Sequence, residues 1–179
     1  MLALGIIDVQ KDFMNKDGAL YVPGAEIIKE KIKKLVQDIR DTTAPIFFTA
    51  DEHDGTEPEM AQNGGLFPLH CIKGTEGQKN IEEADPTGFS IFTKRCYDVF
   101  DKDLGNSNID SWLKENKITA VWLAGVVGNI CVEAAAIGLL KRGIKVYLMS
   151  DHIVWMDIGV YNNKETSIKK LRELGAMFI

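Results

Sequence analysis

The chain is poor in the features that would send it to a membrane, to nucleic acid or into an oxidising compartment. No apolar run approaches the roughly 20 residues a membrane helix needs, and the opening "MLALGIIDVQ" lacks the basic start of a secretory signal. Asp and Glu (26) outnumber Lys and Arg (21) and the two signs are interspersed, so the net charge of −5 leaves no basic stripe for a polyanion. Cys71, Cys96 and Cys131 are the three cysteines, an odd number without CxxC spacing. A disulfide framework and a four-cysteine zinc site are therefore not expected, and at least one thiol is free. Repeats, low-complexity tracts and linkers are also missing. The expectation is one domain over residues 1–179, 45% apolar, cytoplasmic, acting on a small molecule and not on nucleic acid or membrane.

What is present is alternation. Short β-branched runs at Leu2 to Val9, Pro45 to Ala50, Ser90 to Lys94, Ala120 to Val126, Lys145 to Ser150 and Ala176 to Ile179 read as strands. Between them Ile27, Ile28, Ile32, Leu35, Val36 and Ile39 fall at helical spacing, as do Ile168, Leu171 and Leu174. This pattern predicts an α/β fold with a largely parallel sheet. Asp51 to Phe89 is too long and polar for an ordinary connection and is expected to lie over one end of the sheet as a functional loop.

Ligands of open α/β sheets bind beyond the carboxyl ends of the strands. The residues there are Asp8, Asp51, Lys94, Cys131 and Asp151: three acids, a base and a thiol along one edge. Any one of them has a bland explanation as a cap, a solvated strand end or a small buried hydrophobe; the coincidence carries the argument. Cys131 opens the helix "CVEAAAIGLLKRG", where free N–H groups and the helix dipole favour thiolate over thiol. The preceding "GVVGN" offers further N–H groups to a developing oxyanion.

A second cluster lies in "DEHDGTEPEM" and "LFPLHCIKGTEG". Asp51 and His53, two apart on an extended segment, project to one side, and His70 can return across the loop. Oxygen and nitrogen donors without thiolate suit zinc, manganese or iron. Glu57 and Glu59 are both candidates for a further ligand. Phe13 and Phe67 either line a flat pocket or belong to the core.

Together "IIDVQKDF" (6–13), "TADEH" (49–53), "FPLHCIKGTEG" (67–77), "TKRCYDVF" (93–100) and "GVVGNICV" (125–132) resemble the isochorismatase-like cysteine hydrolases, in order and over nearly the whole chain. Within that family the chain is most similar to the nicotinamidases. The resemblance implies a three-layer α/β/α fold with a six-stranded, mostly parallel sheet. It also implies Asp8, Lys94 and Cys131 as catalytic triad, Asp51, His53 and His70 as ligands of a divalent metal, zinc first, and Glu59 as the preferred fourth ligand. By the same resemblance the amides of Val127 and Cys131 form the oxyanion hole beside a cis Val126–Val127 peptide, and Phe13 and Phe67 hold the substrate ring. The implied reaction is hydrolysis of a small amide through a thioester, in pyridine nucleotide salvage; whether the chain acts alone or as a homo-oligomer is left open by the sequence. Rival readings are a carbamoyl or ureido hydrolase of the same family, a non-catalytic binder and a thiol redox protein. Three departures stand out: Gly128-Asn129 where the family commonly has Thr-Asp, Phe67 where nicotinamidases usually have Trp, and the ambiguous fourth ligand.

Overall fold

A computed structural model of the protein describes residues 1–157 and 163–179. Six strands, β1 (Leu2–Ile7), β2 (Ile46–Asp51), β3 (Ser90–Lys94), β4 (Ala120–Gly125), β5 (Lys145–Ile153) and β6 (Met177–Phe178), form one sheet in the order β3-β2-β1-β4-β5-β6. Every pairing is parallel, so the sheet is fully and not merely mostly parallel. Parallel strands need crossovers, and the crossovers place helices on both faces.

Side chains alternate across each strand. Ala3, Ile7, Phe47, Val121 and Leu123 face a core closed by α3 (Asn108–Glu115), α4 (Cys131–Lys141) and α5 (Lys164–Glu173). Leu4, Ile6, Ile46, Phe48 and Ala124 face a second core under α1 (Lys11–Met14) and α2 (Lys29–Arg40). The three layers expected are present.

Several sequence expectations are corrected. Ile27 and Leu174 are 69% and 49% exposed, because a 3₁₀ turn at Ala25–Ile28 precedes α2 and α5 ends at Glu173. The strand pattern at Lys145 runs on to Ile153, which pairs with Gly125. Asp151 therefore sits inside β5 and is exposed, and it does not join the other strand-end residues. Helices α1 and α3 were not foreseen.

The order places β1 at the point where the winding reverses: its neighbours are β2 on one side and β4 on the other. Chains leaving adjacent strands in opposite directions open a crevice there. The segment after β2 folds over that crevice with only short 3₁₀ turns at Ala61–Asn63 and Glu82–Ala84. It is anchored to the exit of β1 by Ile81 N donating to Val9 O (3.0 Å), Lys11 N to Lys79 O (2.8 Å) and Asp12 N to Gly77 O (3.0 Å).

Candidate active site

Lys94 ends β3 and is 2% exposed. Its Nζ lies 2.8 Å from Asp8 Oδ2, contacts Asp51 Oδ1 and donates toward Cys131 Sγ at 3.6 Å. The register sets this meeting, since Asp51 is the direct partner of Lys94 across β2 and β3. Asp8 follows β1 with φ +49, a conformation uncommon outside glycine, Asn and Asp. Its Oδ1 accepts from Thr49 Oγ1 (2.6 Å), whereas Oδ2, facing Lys94, receives no directed hydrogen bond among the described residues. One oxygen each of Asp8 and Asp51 and the sulfur of Cys131 lie within 4.8 Å of one another.

Burial separates the protonation of these groups. It raises Asp8 above the usual carboxylate range despite the opposing Lys94 ammonium, while Asp51, equally buried, is held below that range by Lys94 and His53. Lys94 stays charged because its two carboxylates outweigh its own burial. The Cys131 thiol does not follow the sequence expectation. Burial pushes it well above the ordinary thiol range, and Lys94 offsets this only in part because Asp8 and Asp51 oppose a thiolate. The free site therefore stores a thiol beside a carboxylate whose proton affinity has been lifted.

Cys131 is the first residue of α4. Gly125 ends β4 at φ +121, where a Cβ would stand 2.1 Å from Ile7 O, so the turn toward the cysteine requires glycine. The Val126–Val127 peptide is cis, as the resemblance implied. Among the described residues no acceptor takes the amide N–H of Val127 or Cys131, which leaves both for an incoming oxygen.

Asp51, His53 and His70 offer one ligand atom each, all within 4.8 Å. His70 Nδ1 is 2.8 Å from Pro68 O, an arrangement in which Nδ1–H donates and Nε2 is left as the ligand. His53 is 1% exposed, and both its ring nitrogens lack a hydrogen-bond partner among the described residues. Its nearest acceptors, Asp51 Oδ2 and Glu57 Oε1, stand at 3.6 and 3.4 Å, so the buried imidazole is incompletely satisfied, a cost that a cation would offset. The donors thus fit a divalent metal. Glu57 is buried and engaged elsewhere: Oε1 accepts from Arg95 Nε (2.7 Å) and Oε2 from Gly55 N (3.0 Å). Glu59 is half-buried and lies outside the ligand cluster, although its charge favours protonated His53 and His70.

Two residues support this cluster in ways the sequence did not reveal. Gln10 donates to Asp51 O (2.8 Å) and Gln78 O (2.7 Å) and accepts from Asp51 N (2.7 Å). Asp12 accepts from Cys71 N (2.7 Å) and Ala19 N (3.0 Å), which fixes the residue after His70. Both lie in "IIDVQKDF", and the alternation that exposes Asp8 gives no signal for them.

Above the reactive groups is an apolar cleft. Phe13, Leu20, Val22, Phe67, Tyr97, Val126, Val127, Ile130 and Met156 line it; Asp8, Asp51, His70 and Cys131 are its polar floor. Phe13 and Phe67 approach His70 from two directions, with ring centroids 5.5 and 6.2 Å away. All the expected catalytic, oxyanion and aromatic residues meet here; Asp151 does not.

The chain is 27% identical to the nicotinamidase of Saccharomyces cerevisiae over 191 aligned residues, 85% of this chain and 87% of that protein. The crystal structure of the pyrazinamidase of Pyrococcus horikoshii in complex with zinc superposes with a TM-score of 0.88 at 27% identity, covering 99% and 98% of the two chains. The N-carbamoylsarcosine amidase of Thermoplasma acidophilum gives 0.80 at 26% identity, covering 99% and 94%. The isochorismatase domain model matches residues 3–179, and the chain belongs to that family.

Proposed function

We propose that this protein is a cysteine-dependent amidohydrolase that converts nicotinamide and water to nicotinate and ammonia. The observation that carries the reading is the single Lys94 ammonium between Asp8 and Asp51, with Cys131 Sγ at 3.6 Å, at the floor of an aromatic-walled cleft.

The planar ring lies between Phe13 and Phe67 with its carboxamide over Cys131. As sulfur attacks the amide carbon, Asp8 takes the thiol proton, which is why a thiol and a carboxylate of raised proton affinity serve better here than a preformed thiolate. Thr49 and Lys94 hold the Asp8 carboxylate in place. The Val127 and Cys131 amides receive the oxyanion. Asp8 passes its proton to the departing nitrogen, the C–N bond breaks, and ammonia leaves a thioester. Asp8 then deprotonates the attacking water and returns that proton to sulfur as the C–S bond breaks. A zinc ion, or manganese or iron, held by Asp51, His53 and His70 would supply a Lewis-acid contact that orients the ring nitrogen.

The charge at the floor of the cleft favours this reading over its rival. The N-carbamoyl amino acid that the Thermoplasma enzyme is named for carries a carboxylate, and the Lys94 ammonium at the floor of this cleft is already engaged by Asp8 and Asp51. A neutral aromatic amide suits the apolar lining better than a substrate that brings a further carboxylate beside Asp8 and Asp51. Ammonia release from nicotinamide, pyrazinamide and N-carbamoylsarcosine by the zinc-loaded protein tests this. Turnover of the two aromatic amides alone supports it, and turnover of the carbamoyl compound alone reassigns the substrate.

A further inference from the structure

The elbow that carries Cys131 is strapped to the segment after β5. Gly128 N donates to Val154 O (2.8 Å), and Val154 N to Gly125 O (3.3 Å). Asn129, 4% exposed, closes a reciprocal pair with one residue: its Nδ2 donates to Met156 O (2.6 Å) and its Oδ1 accepts from Met156 N (3.1 Å). A carboxamide is both donor and acceptor and pairs with a backbone amide as another strand would; a carboxylate cannot donate. Gly128 completes the strap, since a Cβ there would stand 2.4 Å from the Trp155 indole. The two departures from the family's Thr-Asp pattern thus act together: glycine admits the indole, and asparagine grips the next residue. The Met156 side chain then lines the cleft alongside Val127 and Ile130.

We infer that Met156 is a specificity-determining wall of the cleft and that Asn129 is the residue that positions it. The inference rests on the proposed amide hydrolysis for its kinetic readout, and the wall itself is also readable without turnover. A thioether packs favourably against aromatic edges, so this wall suits an unsubstituted ring, and the volume it fills is space that a bulky ring substituent would need.

The test compares wild type, Met156→Ala and Asn129→Ala, all zinc-loaded, in two assays. In the first, KM and kcat are measured for nicotinamide and for a nicotinamide bearing a propyl group on the ring. Both variants should raise the KM for nicotinamide, by about tenfold for Asn129→Ala, which loses the reciprocal pair with Met156, with a smaller change in kcat. Both should raise the preference for the propyl compound. The double variant should be no worse than Met156→Ala, because the two residues act through one wall. In the second assay, mass spectrometry follows alkylation of Cys131 by iodoacetanilide relative to iodoacetamide. The ratio should rise several-fold in both variants.

An unchanged ratio and unchanged preference in Met156→Ala would overturn the wall. A raised ratio in Met156→Ala with a wild-type ratio in Asn129→Ala would overturn the positioning role. If nicotinamide is inert while both ratios rise, the wall stands and the proposed substrate falls. Should Asn129→Ala not fold, Met156→Phe tests the wall from the opposite side: it should lower the ratio below wild type, and a ratio at or above wild type would refute it.

Discussion

Glu57 Oε1 stands 3.4 Å from His53 Nδ1, on the far side of the imidazole from the Nε2 that approaches Asp51 Oδ2 at 3.6 Å. The ring is held between two carboxylates, one in the ligand cluster and one anchored by Arg95. Glu57 therefore favours a proton on Nδ1 and a lone pair on Nε2, the arrangement a metal ligand needs.

Glu57→Gln should weaken zinc affinity by about 10–100-fold, the usual cost of losing such an outer partner. Competition against a chromophoric chelator measures it. Wild-type affinity in the variant would show that Asp51 and the backbone suffice to orient His53.

Glu57 also predicts an acid response of the metal-free protein. Burial would raise its carboxyl, but the Arg95 hydrogen bond and backbone donors bring it from 4.5 down to about 2. The folded value lies below the unfolded one, so the stabilisation is complete above the unfolded value and drains away as the pH falls toward the folded one. The difference in urea-unfolding free energy between wild type and Glu57→Gln should shrink from about pH 5 to about pH 3. A constant difference over that range would refute the assignment.

Lys94→Met removes the ammonium between two buried carboxylates. Loss of one partner from a buried ion cluster costs about 3–5 kcal/mol. Equilibrium unfolding of the metal-free variant should show a loss of that order, and ammonia release should vanish. A change within about 0.5 kcal/mol would mean that Asp8 and Asp51 share a proton without help from Lys94.

The cysteines should react in a definite order. Cys71 is fully buried, and that burial pushes its thiol far up. Cys96 is pushed up to about 11 by burial, with its sulfur 3.2 Å from Asp98 O. Cys131 opens onto the cleft beside Asp8, and iodoacetamide carries the carboxamide for which the proposed site is built. Brief treatment should place the label on Cys131 in step with loss of activity, and nicotinamide should protect it. Label on Cys96 with proportional inactivation, or full activity in Cys131→Ala, would overturn the nucleophile assignment.

The positions of Asp8, Asp51, Lys94 and Cys131 were legible because each closes or follows a strand whose β-branched run stands out locally. The thiol's protonation was not. Helix position and a cationic neighbour can be read along the chain, whereas the burial that outweighs them depends on every element around the site. Helix α3 is not legible in the sequence although Ile109, Trp112 and Leu113 carry its spacing, because eight residues give too short a pattern between polar turns. Asp151 was misplaced because β5 runs three residues past Ser150, through the polar Asp151 and His152, to Ile153, which pairs with Gly125. Asn129 and Met156 are 27 residues apart in sequence, and nothing local couples them.

The pairing of Ile7 with Gly125 has a longer reach. Asp8 and the cysteine-bearing elbow depart from directly opposed residues of two central strands, so their separation is set by sheet register and not by any surface segment. The residues that would choose the substrate hang from other places: Phe67 from the long segment after β2, Met156 from the chain beyond β5. Mutation can therefore remodel what is recognised while Asp8 and Cys131 keep their distance. A lineage built on this frame can change diet without reinventing its chemistry.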